Sequence, residues 1–138
     1  MTKIKYIIIL IIQQLKNMTT AEWSREDDRL VDLLMSTGMR KNVAKTLVFV
    51  QKSPETTSVD IETHTSLRQP EVSIAMQELR DRGWIEKRDI KKKGKGRPVH
   101  AYRLAKGFPE IIDCIEEDEK KRVAEILRNV DQLRIIFC

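Results

Sequence analysis

Aromatic side chains make up only 5% of the 138 residues. A core built from such a chain is mostly aliphatic, and there is little from which to assemble a platform for stacking unpaired bases. Cysteine is almost absent, with Cys114 and Cys138 the two present. They form no Cys-x-x-Cys pair and no cysteine–histidine spacing, so a zinc site is not expected. Two distant thiols make no disulfide framework either, which fits a reducing, cytoplasmic compartment. Cys114 falls on a helix face, where a buried, inert thiol is expected and a redox sensor is the alternative. The two histidines, His64 and His100, have no nucleophile and orienting carboxylate at a spacing that suggests a catalytic group. Gly94-Lys95-Gly96 lacks the longer spacing and the following Lys-Ser/Thr of a phosphate-binding loop. The carboxylates Glu116 to Glu119 read as a solvated helix face and not as a metal cage. These absences exclude no single function, but together they predict a protein that is not an enzyme and has no cofactor, metal or catalytic residue.

What the chain does have is an uneven charge. The total is +5, a modest sign of an anionic partner. Residues 80–106 carry 11 basic and 3 acidic residues, a net +8. Residues 1–79 hold ten of each sign, and residues 107–138 carry 5 basic and 8 acidic residues, a net −3. The positive excess therefore sits on one short stretch. A lone lysine run is often only a solvated loop, so the weight of this one depends on what flanks it.

The flanks are structured. Ser24-Arg-Glu-Asp27 has a capping hydroxyl with an acid three residues on. Leu30, Val31, Leu33 and Leu34 then give an apolar helical face, with Gly38 as its stop. A second helix is predicted from about Arg40 to Lys52, with Val43, Ala44, Leu47, Val48 and Val50 as its apolar set, ended by Ser53-Pro54. Thr56-Thr57-Ser58 is a connector that can form a first small strand. Val59 to His64 makes a short helix with Ser58 as the expected cap, and Thr65-Ser66-Leu67 a tight turn. A fourth helix starts near Gln69, with Pro70 in its first turn. Its core stripe is Val72, Ala75, Met76 and Leu79, and Gly83 ends it. Trp84 to Ile90 and Val99 to Leu104 are strands joined by the basic loop. Trp84, Ile85, Tyr102 and Leu104 are expected to face the core.

Helix, turn, helix, strand, charged loop, strand is the order of a winged helix-turn-helix. The expected fold class is mainly α with a small antiparallel β-hairpin and a long C-terminal helix. Such an order presents one helix to a major groove and a cationic loop to the backbone or minor groove of a duplex. Leu67 to Arg88, LRQPEVSIAMQELRDRGWIEKR, resembles the turn, recognition helix and first wing strand of MarR-like and TrmB-like winged-helix transcriptional regulators. Gly94 to Leu104, GKGRPVHAYRL, looks like the wing tip and return strand common in archaeal members of that superfamily. The resemblance spans about Ala21 to Gly107. It implies a dimer that represses or activates transcription from a short operator.

Carried onto this sequence, the resemblance puts Arg68, Gln69, Pro70, Glu71, Ser73, Ile74 and Gln77 on or near the DNA-facing side. The residue pattern agrees, since Val72, Ala75, Met76 and Leu79 occupy the opposite face. Similar helices often carry a polar residue where this chain has Ile74. With Glu71 and Glu78 nearby, the helix is short of positive charge, so affinity is expected to come mainly from the wing residues Lys91, Lys92, Lys93, Lys95 and Arg97. Lys95-Gly-Arg-Pro98 also resembles the minor-groove core of AT-hook peptides, although a plain phosphate clamp is the preferred role. Arg40, Lys41 and Lys45 are expected to hold the backbone. Glu71 is expected to serve the helix N-terminus through the dipole.

The domain plan is an N-terminal arm (1–20), a winged helix (21–107) and a C-terminal helical segment (108–138) opened by Pro109. Val123, Ile126, Val130, Leu133 and Phe137 are spaced 3, 4, 3, 4, a heptad seam. Ile112 and Ile115 lie upstream, across the polar turn Glu116–Arg122. Self-pairing of two chains through these residues is expected, in preference to a helix that covers its own domain. A continuous helix and a bent pair both remain open. The expected partners are double-stranded DNA and a second copy, with a small effector possible and no membrane. A protein–protein assembly module of a transcription or replication complex is the alternative function, and RNA binding a third.

The run Tyr6–Ile12 is too short to span a bilayer and no small-residue cleavage site follows it. It fits an extra strand or helix packed on a partner, a membrane-directed arm, or a misplaced start. If real, the arm needs covering, which favours an oligomer. Met18-Thr-Thr-Ala-Glu makes a natural beginning, and the mature chain is expected to start there. A native N-terminal mass that includes Met1 would reject that expectation.

Overall fold

In the computed structural model the described residues are 2–18, 23–90 and 99–138. The chain divides into two compact units, Met1–Ala105 and Lys106–Cys138. Among the described residues the first unit holds helices α1 (Thr2–Met18), α2 (Arg25–Ser36), α3 (Lys41–Gln51), α4 (Ser58–Thr65) and α5 (Gln69–Asp81). It also holds strands β1 (Thr56–Thr57), β2 (Ile85–Ile90) and β3 (Val99–Leu104). The second unit is one continuous helix, α6 (Phe108–Phe137).

α2 begins where its sequence says it must. Ser24 Oγ accepts the Asp27 N–H at 3.3 Å, and Asp27 Oδ2 accepts the Ser24 N–H at 2.9 Å, a reciprocal capping box. The same Asp27 carboxylate, which is buried, takes the Lys52 ammonium at 2.5 Å and so ties the start of α2 to the end of α3. Val31 and Leu34 point inward, whereas Leu33 is 54% exposed and does not join the core. Gly38 ends this segment at φ +94°, a conformation that a side chain would strain.

α3 is the central helix. Val43, Ala44, Thr46, Leu47, Val48, Phe49 and Val50 are all buried, which exceeds one amphipathic stripe because α2, α4, α5 and β3 all pack around it. Thr46 is tolerated there because its hydroxyl donates to the Asn42 carbonyl at 2.8 Å.

β1, the connector strand anticipated from Thr56-Thr57, pairs antiparallel with β3, which pairs with β2 on its other side. The expected Ser58 cap is corrected. Thr57, still in extended backbone, is the N-cap, and its Oγ1 accepts the Asp60 N–H at 3.2 Å, which leaves Ser58 as the first helical residue. Ser66 takes the left-handed conformation (φ 60°) in the turn between α4 and α5. Val72, Ala75, Met76 and Leu79 of α5 are buried as a single stripe, and Gly83 closes the helix at φ +75°.

The hairpin starts at Ile85, one residue later than the sequence suggests, with Ile85 opposite Leu104 and Lys87 opposite Tyr102. Trp84, Ile85, Ala101 and Tyr102 are buried, while Leu104 is only half-buried. The polar turn does not break α6. Ile111 is buried, Cys114 and Ile115 are half-buried, and the residues from Lys120 onward are exposed. The expectation of a buried Cys114 thiol is therefore corrected to a half-exposed one. α1 is helical, and its side chains from Lys3 to Ile11 are exposed. No described helix is long and apolar enough to cross a membrane.

Replacing Asp27 removes both the cap and the carboxylate that neutralises a largely buried lysine. Asp27→Ala is expected to lower unfolding stability by about 2–4 kcal/mol, read as a fall in the urea midpoint at an unchanged slope. A loss below about 0.5 kcal/mol would mean the pair is not a fastening point.

Candidate nucleic-acid interface

The burial of one α5 stripe decides what the rest of that helix presents. With Val72, Ala75, Met76 and Leu79 inside, Gln69, Pro70, Ser73, Ile74, Gln77 and Arg80 are left facing solvent. Ile74 is 61% exposed, a large apolar side chain in the middle of a polar face. Arg68 is exposed at the N-cap position, and Glu71 Oε2 accepts its backbone N–H at 3.4 Å. Glu71 thus serves the helix end, as its position in the first turn suggested.

Two concavities border this face. The larger, about 350 Å³, runs between α5 and the hairpin. Gln69, Ser73, Gln77 and Arg80 line one wall, Lys87, His100 and Tyr102 the other, and Ser58 and Glu62 contribute from α4. Burial raises the Tyr102 hydroxyl above its ordinary pKa, with Arg80 opposing and Asp89 adding to the shift, so at neutral pH the phenol remains a hydrogen-bond donor. His100 Nδ1 lies 2.7 Å from Asp89 Oδ1 across the hairpin, which fixes its ring. The Gln77 amide donates to Asp81 at 2.9 Å.

The smaller cleft, about 280 Å³, lies on the other side of the helix, between α3 and α5. Arg40, Lys41, Asn42 and Val43 meet Glu71, Ile74 and Ala75 there. Arg40 also donates to Glu78 at 2.6 Å, and Arg82 reaches the same carboxylate at 3.3 Å. The Arg40 hydrogen bond and charge, reinforced by Arg82, outweigh the desolvation and hold Glu78 below the usual carboxylate range. Arg82 lies over the buried Trp84 ring at 4.9 Å.

The structure therefore brings Arg40 and Lys41 beside Ile74, while Lys45, half-buried, does not line that cleft. Gln69, Ser73 and Gln77 share the groove along the hairpin. Lys91, Lys92, Lys93, Lys95 and Arg97 fall outside the described residues. Arg80, Lys87, His100 and Tyr102 line the groove, although the sequence reading placed none of them at the interface and assigned Tyr102 to the core. Gln69, Ser73, Gln77 and Arg80 recur at helical spacing, so Arg80 was legible. Lys87 and His100 needed the hairpin register.

His64, the other histidine, stacks on Phe49 with ring centroids 5.3 Å apart and meets the Asp60 carbonyl at 2.8 Å, a packing role. Among the described residues no three His, Cys, Asp or Glu side chains are grouped to hold a metal.

The element order, the β1–β3–β2 sheet and the packing of α5 against α3 define a winged helix-turn-helix. No protein-family model matches the chain, and no curated protein matches it in sequence. Among solved structures, a possible transcriptional regulator from Methanosarcina mazei Go1 superposes with a TM-score of 0.59 at 11% identity, over 72% of this chain and 83% of that one. The fold is therefore shared with that protein. Looser likenesses are to a MarR family transcription regulator (TM-score 0.46, 21% identity, 93% of this chain and 78% of that one) and to Pex from Synechococcus sp. strain PCC 7942 (TM-score 0.42, 20% identity, 62% and 83%).

The lowered Glu78 carboxyl links this face to pH. Its folded pKa lies below the unfolded value near 4.5, so its contribution is fully present above that value and is lost as pH falls through the folded one. Glu78→Gln should flatten the acid limb of stability as pH falls below the unfolded value near 4.5, followed by denaturant titration at each pH. An unchanged limb would assign the acid sensitivity to other carboxylates.

Proposed function

We propose that the protein is a sequence-specific, double-stranded DNA-binding transcriptional regulator that acts as a homodimer. In this reading α5 enters the major groove, and Lys91, Lys92, Lys93, Lys95 and Arg97 meet the backbone or the minor groove. The observation that carries it is the groove in which the solvent face of α5 and the root of the hairpin meet, at the base of a segment with a net charge of +8. An α-helix with its side chains is about 10–12 Å across and the B-form major groove about 12 Å wide.

The chemistry follows from the residues on that face. Arg68 and Gln69 at the entrance are suited to guanine O6/N7 and adenine N6/N7, each worth roughly 1–3 kcal/mol of discrimination. Ile74 suits a thymine methyl, and Ser73 and Gln77 suit base edges or phosphates. Arg80, Lys87 and His100 line the side of the groove along which a phosphate strand would run. Arg40 and Lys41 flank the opposite side. Phosphate neutralisation by the lysine-rich segment releases counterions and makes affinity fall steeply with salt. The groove holds donors for duplex edges and backbone, and Tyr102, its phenol ring, is buried, which favours a duplex over stacked single-stranded bases.

The exposed residues Val123, Ile126, Val130, Leu133 and Phe137, with Ile112 and half-buried Ile115, support dimerisation through α6. The fold shared with a protein described as a possible transcriptional regulator is consistent with this function, and a cytoplasmic, non-enzymatic role goes with it. The second reading, a protein–protein assembly module, is favoured by one observation, the exposed Ile74 at the centre of the α5 face.

Gel shifts against duplex fragments, single-stranded DNA and structured RNA test the reading directly. Preference for duplex with a steep salt dependence is expected, and binding to none of the three would leave the assembly module. Arg97→Ala and Lys87→Ala should each weaken binding to all duplexes and reduce the slope of log affinity against log salt by about 1. An unchanged isotherm across salt would remove that residue from the interface. Truncation after Asp118 should give monomers with much weaker operator binding, and sedimentation of an intact dimer would refute the α6 seam.

A further inference from the structure

The two sides of α5 differ in how their charge is used. On the hairpin side Arg80, Lys87 and His100 line the larger groove, with one carboxylate, Glu62, among its walls. On the α3 side Glu71, Ile74 and Glu78 follow at spacings of 3 and 4 and share one helix face. Arg40 and Lys41 meet that face from the start of α3.

Glu78 employs both of its carboxylate oxygens there. Oε2 accepts from Arg40 at 2.6 Å and Oε1 from Arg82 at 3.3 Å. Arg82 lies over the Trp84 ring at 4.9 Å, so it is steadied from a second side and keeps the carboxylate in place. The Arg40 hydrogen bond, with Arg82 behind it, holds the carboxyl below its usual range, and the group is an anion at neutral pH.

Exposure divides the pair unequally. The Arg40 side chain is 68% exposed and that of Glu78 25%. The guanidinium is therefore within reach of an approaching duplex, whereas the carboxylate cannot swing into water without losing Arg82. A phosphate that takes Arg40 must displace a carboxylate that stays beside it as a second anion. The two anions repel at that range, so the exchange gains little. A cation without such a neighbour gives the full counterion release.

Resting on the DNA-binding reading above, we infer that Glu78 is a specificity-determining residue: it occupies Arg40 as an internal stand-in for phosphate and so holds down sequence-independent binding on the α3 side of α5. Backbone contacts attract every duplex alike, whereas base edges carry the sequence. The grip on the backbone is then one-sided, from the hairpin, and a larger share of the affinity is left to the bases.

Fluorescence anisotropy of a mixed-sequence duplex, titrated with the full chain at several salt concentrations, tests this without an operator. Glu78→Gln keeps the shape and removes the charge. It is expected to tighten binding on the order of tenfold, as one added charge-assisted contact does. The slope of log affinity against log salt should steepen by about 1 per protomer. Glu78→Ala should act in the same direction, and circular dichroism of each variant separates a change at the interface from a loss of fold. Placed on Arg40→Ala, the Glu78→Gln change should leave the slope where Arg40→Ala alone puts it. Unchanged binding by the folded Glu78 variants overturns the inference. Weaker binding does so too, and makes Glu78 a buttress that aims Arg40 at the backbone. A gain that survives on Arg40→Ala also overturns it, because Glu78 then acts by its own repulsion. Wild-type protein that binds no duplex removes the DNA-binding reading, and this inference with it.

Discussion

The arrangement rests on the packing of one stripe of α5 against α3. Val72, Ala75, Met76 and Leu79 are removed from water there, at about 1.5–3 kcal/mol for each of the larger side chains. Rotating the helix by one residue would bury Ser73 or Gln77 without partners and expose Met76 or Leu79. The polar and apolar residues therefore hold each other in place, and the outward face is a consequence of the inward one. The same contact positions the hairpin, because Trp84 and Ile85 follow the end of α5 directly and are themselves buried.

Polar fastenings refine this frame more than they create it. Asp27 combines a helix cap with a buried ion pair, so one carboxylate both starts α2 and anchors it to α3. Glu78 gathers Arg40 and Arg82, linking the start of α3 to the end of α5 on the exposed side. It thereby compensates two cations next to the proposed DNA face. That leaves Lys41, Arg80 and Lys87 as the neighbours whose charge is less locally engaged. The largest share of the positive excess still belongs to residues 80–106.

Much of this was legible in the residues. The Ser24–Asp27 capping box, the glycine stops at Gly38 and Gly83, Pro70 in the first turn of α5 and the core stripe of that helix are local signals, each dictated by backbone chemistry within a turn or two. The errors were also local. Thr57 and Ser58 are adjacent hydroxyl residues with equal capping ability, and the choice fell to Thr57 because pairing with Ala101 of β3 holds it in extended backbone. Leu33 was grouped with an apolar face that proved narrower than its sequence, since α2 packs mainly on α3. Cys114 was expected to be buried, but its position on α6 leaves it half-exposed.

By itself the sequence determined the helices and strands between Ser24 and Leu104 to within a residue at most ends, and which side of α5 turns inward, because those follow from periodicity, caps and backbone restrictions. The helical state of α1 and the unbroken course of α6 were left to the structure. Tertiary structure alone decided that Lys87 and His100 of the hairpin share a groove with Gln69, Ser73 and Gln77, and that Arg40 is held by a carboxylate 38 residues away. Such pairings depend on strand register and helix packing between residues distant in the chain, and no local pattern encodes the distance at which two remote side chains meet.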